Sequence, residues 1–211
     1  MIVLMLLIAF VKADGQNTKR YDLAKMLTGK DLIINPGYTA QVFDEGEKRG
    51  ITCTGTVWLK DIAFEEGIVE LDIRGRNEFL KSFVGIVFNA VDTTTRENIC
   101  FRPFNFRHSD PVRRSYSLQY TSEPEYPYER LRSDYPRQFE HEIIPNPKPE
   151  DWIHARIVVE KDSVSVYVNK MSTPSLKVKR LTIQRGNKLG LWVFGNDTAG
   201  DFANLIITTV K

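Results

Sequence analysis

Ile153-His-Ala-Arg-Ile-Val-Val159, the triplet Glu160-Lys161-Asp162 and Ser163-Val-Ser-Val-Tyr-Val-Asn169 read together as one strand, a tight turn and a second strand. In the second strand Val164, Val166 and Val168 alternate with Ser165, Tyr167 and Asn169. That two-residue period is the mark of a sheet with one buried face and one wet face. Working outward, the period recurs upstream, where Val69, Leu71 and Ile73 alternate with Glu70, Asp72 and Arg74. Ser82-Phe-Val-Gly-Ile-Val-Phe88 and Leu189-Gly-Leu-Trp-Val-Phe194 are apolar on both faces, as strands covered from two sides must be. Roughly twelve such runs are predicted, near 39–44, 49–53, 54–60, 67–74, 82–90, 97–104, 115–121, 152–159, 163–169, 176–183, 188–194 and 202–209. No helical period extends over a dozen residues between them. Many short strands divided by Gly, Asn, Asp and Pro turns predict an all-β fold in which two antiparallel sheets pack face to face, a jelly-roll β-sandwich.

The chain has 211 residues, 42% hydrophobic and 27% charged, the profile of one globular domain. Residues 36–211 are assigned to the sandwich, and 14–35 to a polar lead-in with a short helix over Tyr21–Leu27, before Gly29. Lys and Arg number 29 against 27 Asp and Glu, so the formal charge of +2 supplies no field to collect nucleic acid or anionic membrane. Met1–Val11 is apolar but too short to cross a bilayer, which needs about 20 residues in a helix. With small residues at Val11 and Ala13 it has the form of a signal peptide, 1–13, cut after Ala13; a buried N-terminal strand is the competing account. The expectation is a secreted or periplasmic monomer. Cys53 and Cys100 are the only cysteines, and spacing leaves one disulfide and two buried thiols equally open.

Phe104–Pro149 breaks the regular beat. Eight of the ten prolines lie in 103–149, and five of the eight tyrosines with seven arginines lie in 102–137. So long an irregular segment inside a compact domain is functional or disordered, and its aromatic content argues for an ordered wall of a cleft. Arg102, Asn105, Arg114, Tyr116, Gln119, Tyr126 and Tyr128, with Arg74 from the strand Gly67–Arg74, are the candidate ligand-binding residues. Planar donors suit sugar hydroxyls, and rings suit the CH face of a pyranose. The competing account has the arginines pinning the segment to carbonyls and to acids such as Glu123, Glu125 and Glu129.

Gly55-Thr-Val-Trp-Leu-Lys-Asp61, Gly67-Ile-Val-Glu-Leu-Asp-Ile-Arg74, Phe101-Arg-Pro-Phe-Asn-Phe106, Trp152-Ile-His-Ala-Arg-Ile157 and Gly200-Asp-Phe-Ala-Asn-Leu205 resemble the concanavalin A-like lectin/glucanase superfamily. Within it, the likeness is nearest to an exported bacterial group of unknown-function and 3-keto-disaccharide hydrolase domains. The resemblance implies a carbohydrate ligand, a glycan or oligosaccharide, held in a concave groove. It also implies a glycoside hydrolase or lyase as the alternative, acting by proton abstraction and elimination. Family-16 glucanases of this fold carry acids as E-x-D-x-E on one strand, and alternation aims them into the groove. Glu70 and Asp72 match the first two places, while Arg74 stands in the third, so a retaining carboxylate pair is incomplete. Elimination from a 3-keto glycoside needs only a modest base, for which Glu70, Asp72 and His154 are the candidates. The competing accounts make Glu70 and Asp72 a solvated strand face and His154 a hydrogen-bonded structural residue. No G-x-S-x-G serine or Gly-rich phosphate loop is present. No cofactor or metal ligand set is predicted, though calcium stabilises many proteins of this fold.

Overall fold

The computed structural model describes residues 16–181 and 186–209. The leader proposed at 1–13 lies outside the described residues. Fifteen strands are described: β1 Asn17–Tyr21, β2 Leu32–Ile34, β3 Ala40–Glu45, β4 Lys48–Cys53, β5 Thr56–Ala63, β6 Gly67–Arg74, β7 Val84–Ala90, β8 Arg96–Phe101, β9 Leu118–Glu123, β10 Glu140–His141, β11 Ile153–Val159, β12 Ser163–Val168, β13 Leu176–Lys179, β14 Lys188–Val193 and β15 Gly200–Thr209. Sheet A runs β13-β12-β11-β6-β15-β4-β3, with β1 also on β15, and sheet B runs β10-β9-β8-β7-β14-β5-β2. Every pairing is antiparallel. The molecule is thus the two-layer jelly-roll sandwich that the strand periods predict.

Alternation places the core. Val69, Leu71 and Ile73 of β6 and Val164, Val166 and Val168 of β12 are buried between the layers, facing Ile86 and Phe88 of β7 and Ile99 and Phe101 of β8. Covering about 25 cal/mol per Å² of apolar surface, this layer is the main stabilising term. All of β7 is buried because its outer face is covered too: Val87 joins Trp58, Ala90, Cys100 and Trp192 in a second apolar cluster, against which Phe83 packs.

Two sequence expectations change, and the alternative left open at the cysteines is decided. The lead-in 14–35 contributes strands to both layers, β1 against β15 and β2 against β5, with helix α1 at Leu23–Thr28 between them, capped by Asp22. The strand expected over 115–121 is shifted to β9, because Ser115–Ser117 complete the turn that follows the one-turn helix α2, Pro111–Arg114. Cys53 and Cys100 are free thiols: Cys53 lies in the core from sheet A, whereas Cys100 points to the outer face of sheet B, so the strand pleat separates them.

Candidate functional site

The candidate site is a groove on the outer face of sheet B. Along β8 the pleat sends Glu97, Ile99 and Phe101 inward and leaves Arg96, Asn98 and Cys100 outward, with Arg102 following. On β9 the outward set is Gln119, Thr121 and Glu123. These residues and Trp192 of β14 floor a cavity of about 770 Å³. Glycines let the strands beneath the floor pack closely. Gly85 and Gly190 flank Val87 and the indole rings, and a Cβ on Gly85 would stand 1.9 Å from the Ile99 carbonyl oxygen.

The excursion between β8 and β10 builds the wall. A turn of 3-10 helix at Pro103–Asn105 brings Phe104 and Asn105 to the rim, and α2, capped by the Asp110 carboxylate on the Val112 N–H at 2.8 Å, brings Val112 and Arg113. Helix α3, Tyr128–Asp134, presents Tyr128, Glu129 and Arg132. Behind the wall lies a buried polar chain. Arg102 donates to the Gln119 side-chain oxygen and, at 2.8 Å, to the Tyr116 carbonyl; Gln119 donates to Glu140 at 3.2 Å; Arg132 grips Glu140 with two bonds of 2.9 and 2.8 Å. The Arg132 guanidinium also lies 3.9 Å from the Tyr116 ring centroid. Charge-assisted, bidentate bonds of this kind hold an irregular segment rigidly.

Groups left over on the floor are those without protein partners. Asn98 is 3% exposed and gives its amide to Thr121 at 3.1 Å, while its side-chain oxygen has no partner among the described residues. Asn105, also 3% exposed, leaves its side-chain oxygen unpaired, and the Arg96 Nε is likewise buried and unpaired. Arg96 lies 5.7 Å over Trp192 and is paired in register with Glu123. Burial lowers the Arg96 pKa and raises that of Glu123, the latter against the opposing pull of Arg96. The Cys100 thiol on this floor is pushed up by burial to about 11, so it is a thiol at neutral pH and not a nucleophile.

Glu70, Asp72 and His154 do come together, but on the outer face of sheet A, on the other side of the sandwich from the groove. His154 faces Asp72 on β6 in register; its Nδ1 is 2.9 Å from Asp72 and its Nε2 3.5 Å from Glu70. Asp72 also accepts from Lys48 and, at 2.7 Å, from Asn204, which a register shift in β15 and a φ of 54° turn outward. Burial would raise the Asp72 pKa, yet the bonds from His154, Lys48 and Asn204 outweigh it and hold the carboxyl well below the usual range. The bond to Asp72 raises His154. Beside them a hollow of about 350 Å³ is lined by Glu70, His154, Arg156, Tyr167 and Lys170.

Of the ligand-binding candidates, Arg102, Asn105, Tyr116, Gln119 and Tyr128 line the groove. Arg74 does not: it bonds Asp201 at 2.7 Å on sheet A and stacks 4.7 Å over Trp152. Arg114 is turned away to Glu142 at 2.8 Å and the His108 carbonyl at 2.9 Å, and Tyr126 packs on Tyr135 beneath Arg130. Arg96, Asn98 and Thr121 escaped the sequence reading, and Glu123 entered it only as an acid to pin the arginines, although extending the two-residue period back from Arg102 reaches 100, 98 and 96. Among the described residues no three His, Cys, Asp or Glu side chains gather as a metal site, and no helix is long and apolar enough to cross a membrane.

No protein-family model matches the chain, and no curated protein sequence matches it. The fold is shared with solved structures. The carbohydrate-binding module CBM66 from Bacillus subtilis aligns with a TM-score of 0.51 at 13% identity, over 81% of this chain and 95% of that one. A protein of unknown function with a galectin-like fold from Bacillus subtilis aligns at 0.56 and 11% identity, over 92% and 96%. The kappa-carrageenase of Pseudoalteromonas carrageenovora, in complex with an oligosaccharide of kappa-carrageenan, aligns at 0.50 and 10%, over 97% and 100%. The two-layer β-sandwich is therefore shared; at these identities the likeness is one of fold.

Proposed function

We propose that this protein binds a neutral glycan or oligosaccharide in the groove on sheet B, as an exported monomer without chemistry of its own. The observation that carries this reading is a groove of about 770 Å³ whose lining sets Tyr116, Tyr128 and Trp192 beside the polar side chains of Arg96, Asn98, Gln119 and Glu123. Rings in such a lining cover the CH face of a sugar, while amide, guanidinium and carboxylate groups exchange hydrogen bonds with its hydroxyls. Neutrality follows from the charges: Arg102 and Arg132 are committed to Gln119, Tyr116 and Glu140, and Arg96 is balanced by Glu123. The carbohydrate-binding module among the fold relatives supports the class of ligand.

Glycan-array screening followed by calorimetry tests it. Asn98→Ala and Glu123→Gln are each expected to weaken the best oligosaccharide at least tenfold, with His154→Ala matching the parent. Undiminished binding in the Asn98 and Glu123 variants would move the site elsewhere. The apolar run at 1–11 supports export to a secreted or periplasmic location, and N-terminal sequencing of the protein from its native host is expected to begin at Asp14.

A second reading, glycoside cleavage by elimination, draws on the His154 cluster beside its own hollow. Asp72, held ionised by three partners, is a weak base, which leaves Glu70 to take the carbon-bound proton and protonated His154 to supply one to the departing glycosidic oxygen. Release of free sugar from a 3-keto-disaccharide, lost in Glu70→Gln, is the expected result if this reading holds. The binding reading is preferred because the larger, aromatic-lined groove lies on the opposite layer.

A further inference from the structure

The groove has two unlike ends. Arg96, Asn98, Thr121 and Glu123 make one end polar. At the other, edge-on rings form a ladder: Trp192 to Phe194 at 6.3 Å, Phe194 to Phe83 at 5.4 Å, Phe83 to Phe104 at 5.4 Å and Phe104 to Phe79 at 5.5 Å. The ladder climbs out of the floor into solvent, where Phe194 is 58%, Phe79 49%, Leu80 60% and Val112 50% exposed. Single exposed apolar side chains are ordinary; three on the lip of one cavity, Phe194, Leu80 and Val112, with Phe79 packed on Phe104 beside them, mark a contact surface. Guanidinium groups already cover ring faces there, Arg113 at 4.7 Å from Phe79 and Arg102 at 5.6 Å from Phe83.

Resting on the glycan-binding reading above, we propose that the ligand is a saccharide carrying an aromatic substituent, an aryl glycoside or aromatic ester. Its sugar lies at the Arg96–Glu123 end and its ring against Phe83, Phe104 and Phe194. An aromatic ring continues the edge-to-face ladder and gains from ring geometry as well as from burial, whereas an alkyl chain gains from burial alone. The polar end makes a purely apolar ligand unfavourable, because it would strip water from the half-buried Arg96 and Glu123 without pairing them.

Calorimetry with matched methyl, octyl and 4-nitrophenyl glycosides of glucose, galactose, mannose, arabinose and xylose, together with free 4-nitrophenol, tests the proposal. The expected result, for the sugar that binds, is a 4-nitrophenyl glycoside about tenfold tighter than the methyl glycoside and clearly tighter than the octyl one. Phe194→Ala, a surface position that leaves the core intact, is expected to bring the aryl-to-methyl ratio close to one. Equal affinity for methyl and nitrophenyl glycosides, or for octyl and nitrophenyl, overturns the aromatic proposal while glycan binding stands. Binding of free 4-nitrophenol as tight as its glycosides, or binding of none of these compounds, overturns both. Sedimentation that shows a dimer dissociated by Phe194→Ala would assign the rim to a second copy and overturn the proposal as well.

Discussion

Two carboxylates of opposite temperament illustrate how environment sets chemistry at single residues. Glu123 is raised by burial, so a bound hydroxyl that donates to its ionised form is lost as pH falls through that raised value. Glycan affinity is expected to decline on acidification before an ordinary glutamate would titrate, with Glu123→Gln weaker and flat across the same range by calorimetry. Asp72 and His154 act on stability instead. Folding raises the His154 pKa, so its contribution is complete below the ordinary histidine value of about 6.5 and is lost as pH rises through the raised one. Folding depresses Asp72, so its contribution is complete above about 3.9 and disappears only in strong acid. The cluster therefore stabilises most between about pH 4 and 6.5. Thermal melts are expected to drop from pH 6 to pH 9, and His154→Gln to flatten that slope. Asp72→Ala, which strands Lys48 and His154, is expected to cost about 3 kcal/mol in denaturant titrations.

Strand β8 is the element on which both core and groove depend. Its inward Ile99 and Phe101 are indispensable to packing, while its outward Arg96, Asn98 and Cys100 are the groove floor. Its neighbour β7 must approach closely, which is why Gly85 pairs with Cys100: an added methyl would strike the Ile99 carbonyl oxygen. Gly85→Ala is expected to lower stability by about 1–3 kcal/mol and to weaken glycan binding with it, measured by urea unfolding and calorimetry on the same preparation. The strand β8 was readable in its letters, but its alternation was not, because the charged Glu97 belongs to the inward set. The excursion was readable only as something ordered, because α2 is a single turn and α3 less than two, too short for any helical period to register.

The two layers are joined by more than apolar contact. Glu97 points inward from β8, fully buried, and meets Arg180, which follows β13 of the other sheet, at 3.1 Å; Asn89 adds a bond to Glu97 at 3.0 Å. Removing one partner leaves a buried charge. Arg180→Met is expected to cost about 3 kcal/mol or more, and Glu97→Gln with Arg180→Met together less than the sum of the single changes, in a double-mutant cycle by denaturant unfolding. None of this pairing, 83 residues apart, is visible in the chain's order. The sequence alone determined the sandwich, since a period of two over many short runs permits one buried face per strand and only stacked sheets bury them all. It also marked Arg102, Asn105, Tyr116, Gln119 and Tyr128 as companions, but grouped with them Arg74, Arg114 and Tyr126, which lie outside the groove. Which layer each strand joined was left to tertiary structure: β6 went to sheet A and β8 to sheet B, parting Glu70, Asp72 and His154 from the groove. Pleat is a local property that residues two apart enforce on each other, whereas sheet order is chosen by long-range pairing, to which local side-chain periods are blind.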